Sequence, residues 1–274
     1  MSPEVLQTPA GTEVVLRSCE GFEELEACVR LQIETWGYND GDVIPQRMFI
    51  VAQRIGGQVI GAFAPADNVG SGPGREMVGF AMSLPGVRQK MASDEGRPWA
   101  YLHSHMLAVK PQYRDAGIGR NLKLYQRDEA LSRGFTLMEW TFDPLELKNA
   151  YFNMERLGAI VRRYVENQYG TTTSPLHGGL PTDRCVAEWW LASPHAAAVL
   201  AGRTPERNVE ERIEVPADID TIRRDEPRRA REIQQSLGTR LMSGFDGGLA
   251  VIGFERSDRV GTYLLGRWEC GSNA

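Results

Sequence analysis

The chain has 274 residues, 42% of them hydrophobic and 24% charged, which is typical of a folded globular protein rather than a disordered one. Its formal net charge of −5 and isoelectric point near 5.5 provide no basic field for nucleic acid. No apolar run approaches the roughly 20 residues of a membrane-spanning helix, and the N-terminus lacks the regions of a signal peptide. We therefore expect a cytoplasmic protein that binds neither nucleic acid nor a membrane.

The four cysteines are scattered along the chain without the paired spacing of zinc ligands or of a disulfide framework. They are Cys19, Cys28, Cys185 and Cys270. This pattern predicts buried thiols and no metal site.

The first part of the chain predicts a strand, two helices and a hairpin. These elements cover residues 14–17, 22–36, 45 to about 56, 58–64 and 76–84. Apolar side chains recur at helical spacing in both helices. They are Phe22, Leu25, Cys28, Val29, Ile33 and Trp36 near one face of the first, and Met48, Val51, Ala52 and Ile55 in the second.

A polar loop over residues 86–98 is expected next, followed by alternating strands and helices. The predicted strands cover residues 100–109, 135–142, 160–165 and 185–191, and the predicted helices cover 117–133 and 147–157. Gly158 stands at the position of a helix C-cap.

Proline, glycine and an alanine cluster mark a connector over residues 193–205. Beyond it we expect a strand at 209–215, a charged helix at 227–242 and a hairpin of 249–254 with 262–265. The sequence thus predicts two domains, residues 1–193 and a small α+β extension over residues 194–274.

The most informative stretch is LAVKPQYRDAGIGR, residues 107–120, where an apolar strand runs into a turn and then an amphipathic helix. Gly117 and Gly119 allow the backbone to approach a ligand closely, and the first turn of a helix offers unpaired N–H donors at the positive end of its dipole. Arg114 adds a charge-assisted contact. This combination predicts a pyrophosphate site.

Two other phosphate-binding motifs do not fit the same residues. A dinucleotide fingerprint needs a third glycine, where this chain has Leu122. The fingerprint also lies at an early strand-to-helix turn, whereas the glycines here come more than a hundred residues into the chain. A P-loop needs Gly-Lys-Ser/Thr, which is absent here.

The Arg-x-x-Gly-x-Gly turn, with Leu107-Ala108-Val109 before it and Leu157-Gly158 after the next helix, resembles the GNAT superfamily of acyl-CoA-dependent N-acyltransferases. The resemblance covers roughly residues 13–191. It implies an α/β (α+β) fold with a mixed central sheet whose fourth and fifth strands, here residues 100–109 and 135–142, splay apart to admit coenzyme A.

The resemblance also implies which residues hold the acyl-CoA, either acetyl-CoA or succinyl-CoA. The backbone of the strand end would pair with pantetheine, and the amides of the turn would hold the pyrophosphate. Asn149 and Asn153 of the next helix are candidates to bond pantetheine amides, with a solvated side chain as the commoner alternative. The residues are Leu107, Ala108, Val109, Arg114, Asp115, Ala116, Gly117, Ile118, Gly119, Arg120 and Asn149. Because Asp115 stands where the family commonly has glycine or a basic residue, we expect its carboxylate to point outward.

His103 and His105 are the candidate general bases, since a neutral imidazole can take a proton from an ammonium group. The alternation of a strand would place both on one face with Leu107 and Val109. The stretch His-Ser-His-Met-Leu-Ala-Val resembles that of the arylalkylamine N-acetyltransferases, where the pair is regarded as a proton relay. The alternative is two histidines with a purely structural role.

The general acid of the superfamily is a tyrosine four residues before the glycine that ends the next helix, but this chain has Met154 there. A thioether cannot donate a proton, so water or another tyrosine must serve. Tyr151 and Tyr125 are the candidates, each with packing as the alternative role.

The acceptor is less readable from sequence. Carboxylates for an amine and arginines for an acid group are available near the predicted strand ends: Asp40, Asp42, Glu139, Asp143, Arg75, Arg162 and Arg184. Three further stretches resemble a bacterial GNAT subgroup related to amino-acid N-succinyltransferases. They are Gly86-Val87-Arg88, Trp140-Thr141-Phe142-Asp143-Pro144 and Glu188-Trp189-Trp190-Leu191. We expect transfer to a primary amine of a small molecule, with an amino acid as the specific guess and a homodimer left open.

The rivals are a non-catalytic acyl-CoA sensor and a protein N-acetyltransferase whose basic helix docks a partner.

Overall fold

The computed structural model describes residues 1–37, 41–66, 74–88, 99–170 and 180–269. It divides into two compact units, Met1–Met138 and Glu139–Ala274. No helix in the described part of the chain is both long and apolar enough to span a membrane.

The first unit contains five strands and three α-helices in its described residues. They are β1 (Glu4–Gln7), β2 (Glu13–Ser18), α1 (Gly21–Trp36), α2 (Gln46–Arg54), β3 (Gln58–Pro65), β4 (Arg75–Arg88), β5 (Trp99–Val109) and α3 (Ile118–Ser132). A short 3₁₀ turn, Pro111–Tyr113, lies between β5 and α3. The predicted strands, helices and hairpin are confirmed.

The strands of this unit form one sheet in the order β1-β2-β3-β4-β5, and each of the four neighbouring pairs is antiparallel. α1 and α2 cover one face, where Leu25, Phe49 and Phe80 belong to a single buried cluster. α3 covers the other face, where Ile118 and Leu122 pack with residues of β2, β3 and β4. Both faces of β3 are therefore buried, as its continuous apolar sequence requires.

The apolar faces predicted for α1 and α2 are partly wrong. Phe22 is 71% exposed and Ile33 is 48% exposed. In α2, Met48, Val51 and Ile55 are exposed, because the helix instead buries Phe49, whose ring centroid lies 5.8 Å from that of Phe80. The aromatic ring fills the core and turns the other apolar side chains outward.

The loop predicted to begin at residue 86 is also corrected, because β4 continues to Arg88 and pairs with β5 along its whole end. The ring of Tyr101 occupies the space that a side chain of Gly86 would need, with an atom 2.5 Å from the ideal Cβ position. Glycine is thus required here by close packing inside a strand rather than by a turn.

The second unit combines the strands and helices of the chain's second half. β6 (Leu137–Phe142) begins in the first unit, and the others are α4 (Leu147–Tyr151), β7 (Ile160–Val165), β8 (Arg184–Trp190), α5 (Pro194–Leu200), β9 (Glu211–Pro216), α6 (Ile219–Asp225), α7 (Pro227–Asp246), β10 (Leu249–Arg256) and β11 (Val260–Arg267). α4 continues into a π-helical turn, Phe152–Leu157, which ends at Gly158 with a φ of 75°.

The strand order in this unit is β6-β8-β7-β10-β11-β9. β10 pairs with β7 through Val251 and Val161, so the chain after residue 193 extends the same sheet. The domain boundary predicted between residues 193 and 194 therefore does not coincide with the division of the structure. That residues 1–193 form the acyltransferase domain stays a prediction.

The connector predicted over residues 193–205 contains a helix, α5. Ser193 caps it, since its Oγ accepts a hydrogen bond from the backbone N–H of Ala196 at 3.1 Å. Ser-Pro before an alanine cluster is a helix start, with proline in the first turn, and this signal outweighs the loop-like composition. The short helix α6 is likewise an addition to the predicted elements.

Three of the four cysteines, Cys19, Cys28 and Cys185, are buried free thiols as predicted. Cys270 lies outside the described residues.

Candidate functional site

The turn after β5 has an irregular backbone. After the 3₁₀ turn, Arg114 is extended, and Asp115 takes a positive φ of 60°, a conformation that aspartate tolerates better than most residues. The Arg114 Nε donates to the carbonyl oxygen of Val109 at 3.4 Å, which places its guanidinium beside the end of the strand. Asp115 is exposed.

α3 begins with three amides that point out of its first turn. The first backbone hydrogen bond of the helix runs from Asn121 N–H to the carbonyl oxygen of Gly117 at 3.0 Å. The amides of Ile118, Gly119 and Arg120 therefore precede it, and no side chain caps the helix at Gly117. A phosphate oxygen is a suitable acceptor at such a position.

The two glycines of the motif occupy their positions for different physical reasons. Gly117 has a φ of 81°, which favours glycine over any residue with a Cβ. At Gly119 an added Cβ would lie 3.5 Å from Leu107, which is ordinary contact. The packing of the protein therefore does not require glycine at position 119, whereas a ligand close to the backbone would.

A β-bulge in β5 changes the faces predicted for this strand. Met82 on β4 is opposite Met106, and the next residue, Ser83, is opposite Ser104, so His105 is an extra residue on β5. The predicted alternation is therefore wrong beyond His105. His103 lies opposite Leu84, on the face of Met106 and Ala108, whereas Ser104, Leu107 and Val109 face α3.

The imidazoles of His103 and His105 lie side by side, with ring centroids 6.0 Å apart and planes tilted by 40°. Desolvation of its ring lowers the pKa of His105 from the usual 6.5, although the residue as a whole is exposed. His105 is thus neutral at physiological pH, the form that accepts a proton.

The sequence reasoning missed a buried polar group bonded to Ser104, the residue between the two histidines. Lys123 on α3 is 4% exposed, and its Nζ donates to Oγ of Ser104 at 2.8 Å. Burial lowers the pKa of Lys123 to about 7. A lysine at a core position of the amphipathic pattern is the sequence signal that could have indicated it.

The structure distributes the candidate general acids differently. Met154, at the family position of the acid, is fully buried. Tyr125 has a packing role, since its ring is buried and its hydroxyl donates to the carbonyl oxygens of Met1 and Ser2 at 3.4 and 3.3 Å. Tyr151 in the second unit is partly buried, with the Arg256 guanidinium 5.7 Å from its ring centroid.

Asn149, the predicted pantetheine ligand, is exposed on α4. Asn153 is buried and accepts a hydrogen bond from Nε1 of Trp140 at 3.2 Å, which is a structural contact.

Several charged candidates for acceptor recognition are held in ion pairs. In the second unit Glu139 pairs with Arg163 at 2.8 Å, Glu188 with Arg162 at 2.5 Å, and Asp143 with Arg223 at 3.1 Å. In the first unit Arg75 pairs with Glu13. The guanidinium of Arg184 lies 5.3 Å from the ring centroid of Tyr169, Asp42 is partly buried, and Asp40 lies outside the described residues.

Comparison with known proteins identifies the architecture. No protein-family model matches the sequence, and no curated protein sequence is significantly similar to it. Among solved structures, Arabidopsis thaliana NAA60 in complex with acetyl-CoA aligns with a TM-score of 0.50 and 13% identity over 65% of this chain and 98% of its own. The ribosomal-protein-S18-alanine N-acetyltransferase of Escherichia coli aligns with a TM-score of 0.45 and 16% identity over 72% and 99%.

The chain has the GNAT fold, and the predicted fold class is confirmed. At such low identity the likeness extends to the fold and no further. The splay of the fourth and fifth strands, the subgroup and the roles of the site residues stay predictions.

Proposed function

We propose that this protein is a CoA-dependent N-acyltransferase that moves an acetyl or succinyl group from an acyl-CoA to a primary amine of a small molecule. The observation that carries the proposal is the start of α3. Three amides, the positive φ of Gly117 and the unobstructed backbone at Gly119 form a cradle that fits a pyrophosphate.

The residues proposed to hold acyl-CoA are those of the turn and of the strand before it. Arg114 and the amides from Asp115 to Arg120 would bind the pyrophosphate, and the backbone of Leu107 to Val109 would pair with pantetheine. Acyl-CoA, when bound, supplies the acyl group as a reactive thioester. Asn149 is exposed and accessible to a ligand, and it is kept as a further proposed contact.

His105 is the proposed general base, with His103 beside it as the second member of a relay. A protonated amine cannot attack a carbonyl, so the base must take a proton from the ammonium nitrogen. The lowered pKa keeps His105 neutral and ready to accept that proton. The backbone N–H of Val109 is the proposed donor that polarises the acyl oxygen.

The departing thiolate also needs a proton. With Met154 in the place of the usual tyrosine, the proposed source is solvent or the hydroxyl of Tyr151. A thiolate is a weak enough base for water to serve, so the missing tyrosine does not exclude catalysis.

The protein N-acetyltransferase alternative depended on a basic docking surface, and the structure weakens that argument. The predicted basic helix has five arginines, at positions 223, 224, 228, 229 and 231. Arg223 is buried, Arg224 pairs with Asp225 at 2.9 Å, and Arg229 pairs with Glu226 at 3.0 Å. Three of the five positive charges are therefore buried or paired with a carboxylate of the protein itself, and we favour a small-molecule acceptor.

The proposal is tested by a thiol-release screen of amino acids and arylalkylamines with acetyl-CoA and succinyl-CoA. The expected result is release of free CoA that depends on one class of amine. If calorimetry detects binding of acyl-CoA but no amine causes release of the CoA thiol, the result would instead support the sensor. Transfer seen only to a macromolecule in a lysate would support the protein acetyltransferase.

A further inference from the structure

A continuous buried polar network lies between α3 and the strands of the first unit. Beyond accepting a hydrogen bond from Lys123, Ser104 Oγ donates to Oε1 of Gln126 at 3.1 Å. The backbone carbonyl of Gln126 accepts from Nε2 of Gln58 at 2.8 Å, and Ser83 Oγ donates to Oε1 of Gln58 at 2.9 Å. The network therefore joins α3 to β3, β4 and β5.

One end of this network coincides with the bulge. Ser104 and Ser83 are opposite each other in the register, and the shift that makes His105 an extra residue occurs immediately next to this pair. Both serines are buried, at 4% and 0% exposure, and each side chain is fixed by a hydrogen bond to a glutamine. The hydrogen bonds of Lys123 and Gln126 thus hold the backbone where the strand departs from regular pairing.

The charged groups around the network come from two elements. α3 contributes Lys123 and, further along, Glu129, which accepts hydrogen bonds from Gln58 and from Arg133 at 2.8 Å. β5 contributes His103 and His105, which flank Ser104 in the sequence, with His103 on the face of the sheet opposite to α3. β3 and β4 contribute the neutral side chains of Gln58 and Ser83.

A buried lysine is an expensive way to fill this space. Removing an ammonium group from water disfavours the folded state, and this is why its pKa falls to about 7. A methionine would have a similar length and would avoid this desolvation penalty. A residue that lowers stability where an apolar one would fit is a candidate for a role in function.

Resting on the proposed transferase function, we propose that Lys123 is a positioning residue that, through Ser104, holds the β-bulge at His105 and so keeps the two imidazoles side by side. It touches neither acyl group nor amine in this proposal. Its effect passes through β5 to the group that takes the proton.

The test uses Lys123→Met, Ser104→Ala and the double variant that combines these two changes. The control is Arg127→Met, which removes a positive charge from α3 one turn further on. The first readout is the NMR titration of the His103 and His105 imidazoles, which requires no turnover. In Lys123→Met and in Ser104→Ala both imidazole signals should shift, and the pKa of His105 should rise toward its usual value. Arg127→Met should leave the signals unchanged.

Thermal unfolding and thiol release complete the test. Lys123→Met should unfold at the same or a higher temperature than the natural protein, while its rate at saturating acyl-CoA falls by about 10- to 100-fold. The double variant should be no worse than the single ones, because both remove one interaction. If thiol release is absent from the natural protein, the transferase proposal fails while the imidazole titration still decides the role of Lys123.

Unchanged imidazole titrations in folded Lys123→Met and Ser104→Ala would overturn the inference. A lower unfolding temperature in Lys123→Met with unchanged imidazole signals would show that the lysine has a structural role only. If Lys123→Met does not fold, Ser104→Ala decides by the same titration, since it removes the same hydrogen bond and leaves Lys123 in place.

Discussion

Gly117 and Gly119 show how two identical residues in one motif answer to different physical demands. At position 117 the backbone conformation alone favours glycine, without any ligand, because its φ of 81° lies in the left-handed region. Gly119 lies in the first turn of α3 with ordinary space around the position of a Cβ. Substitution by alanine should therefore separate folding from binding.

Gly119→Ala should keep the thermal stability of the natural protein but weaken the binding of coenzyme A at least tenfold, about 1.4 kcal/mol, because the added methyl group, beside Leu107, takes up room next to the amides proposed to hold the pyrophosphate. Gly117→Ala should lose about 1–2 kcal/mol of unfolding free energy from the strained backbone. Calorimetric titration and urea unfolding measure the two effects. Tight coenzyme A binding by Gly119→Ala would contradict the proposed cradle.

His105 makes a prediction for the dependence of rate on pH. Because its pKa lies below 6.5, the imidazole is neutral at pH 7 and becomes protonated only as the pH falls below that value. Titration of His105 should therefore leave kcat/KM unchanged around pH 7. At lower pH it should produce an acid limb whose midpoint lies below 6.5.

The measurement is a pH profile of kcat/KM for the natural protein and for glutamine variants. His105→Gln should lose the acid limb along with most of the rate, by about 10²- to 10⁴-fold for a general base. His103→Gln serves as the comparison on the same strand. An identical profile in the double variant would remove both residues from the mechanism.

At the scale of elements, α6 shows how the chain after residue 193 stabilises the start of α4 inside the second unit. Arg223 on α6 is 7% exposed and pairs with Asp143 at 3.1 Å and with Glu146 at 3.2 Å. Burial and the neighbouring Asp143 raise the pKa of Glu146, while the Arg223 guanidinium opposes this rise. The arginine therefore compensates two carboxylates that lie close together.

Arg223→Met should destabilise the protein by about 3–5 kcal/mol at pH 7, because it leaves buried carboxylates without their counter-charge. The loss should shrink as the pH falls, since the raised pKa of Glu146 lets its carboxylate become protonated and neutral, which relieves the repulsion. Arg224→Met is the matched control: its side chain is 71% exposed, and a change of at most about 1 kcal/mol is expected. Urea unfolding at two pH values gives both results. Equal losses in the two variants would contradict this account.

At the scale of the whole molecule, the sheet of the second unit depends on both halves of its chain. β7 belongs to the region that resembles the superfamily, and its neighbour β10 belongs to the C-terminal extension. Ile160 shares a buried cluster with Ala250 and Ile252. The extension is thus part of the core of this unit.

A chain that ends at residue 193 should therefore fail to unfold cooperatively, because it exposes the edge of β7 and the apolar side chains that β10 covers. Circular dichroism during heating, with the full chain as reference, is the measurement. Cooperative unfolding of residues 1–193 with coenzyme A binding intact would instead support the predicted domain boundary.

The sequence was sufficient for those features in which a local pattern has one physical solution. Apolar periodicity predicted the order of the strands and helices apart from β1, α5 and α6. The turn after β5 followed from its glycines and arginine, and the GNAT fold from their combination with this order. The end of the π-helical turn that continues α4 followed from Gly158, which has the left-handed backbone of a helix C-cap.

Tertiary structure decided what depends on contacts between distant residues. The bulge at His105 arises from its pairing with β4 and reverses the faces of Leu107 and Val109, although a strand read by itself alternates regularly. Phe49 is buried and Met48 exposed because Phe80 lies opposite one and not the other. Lys123 is buried because Ser104, nineteen residues earlier, accepts its hydrogen bond. Periodicity specifies that a face exists, but only packing against other elements determines which face is covered and what it holds.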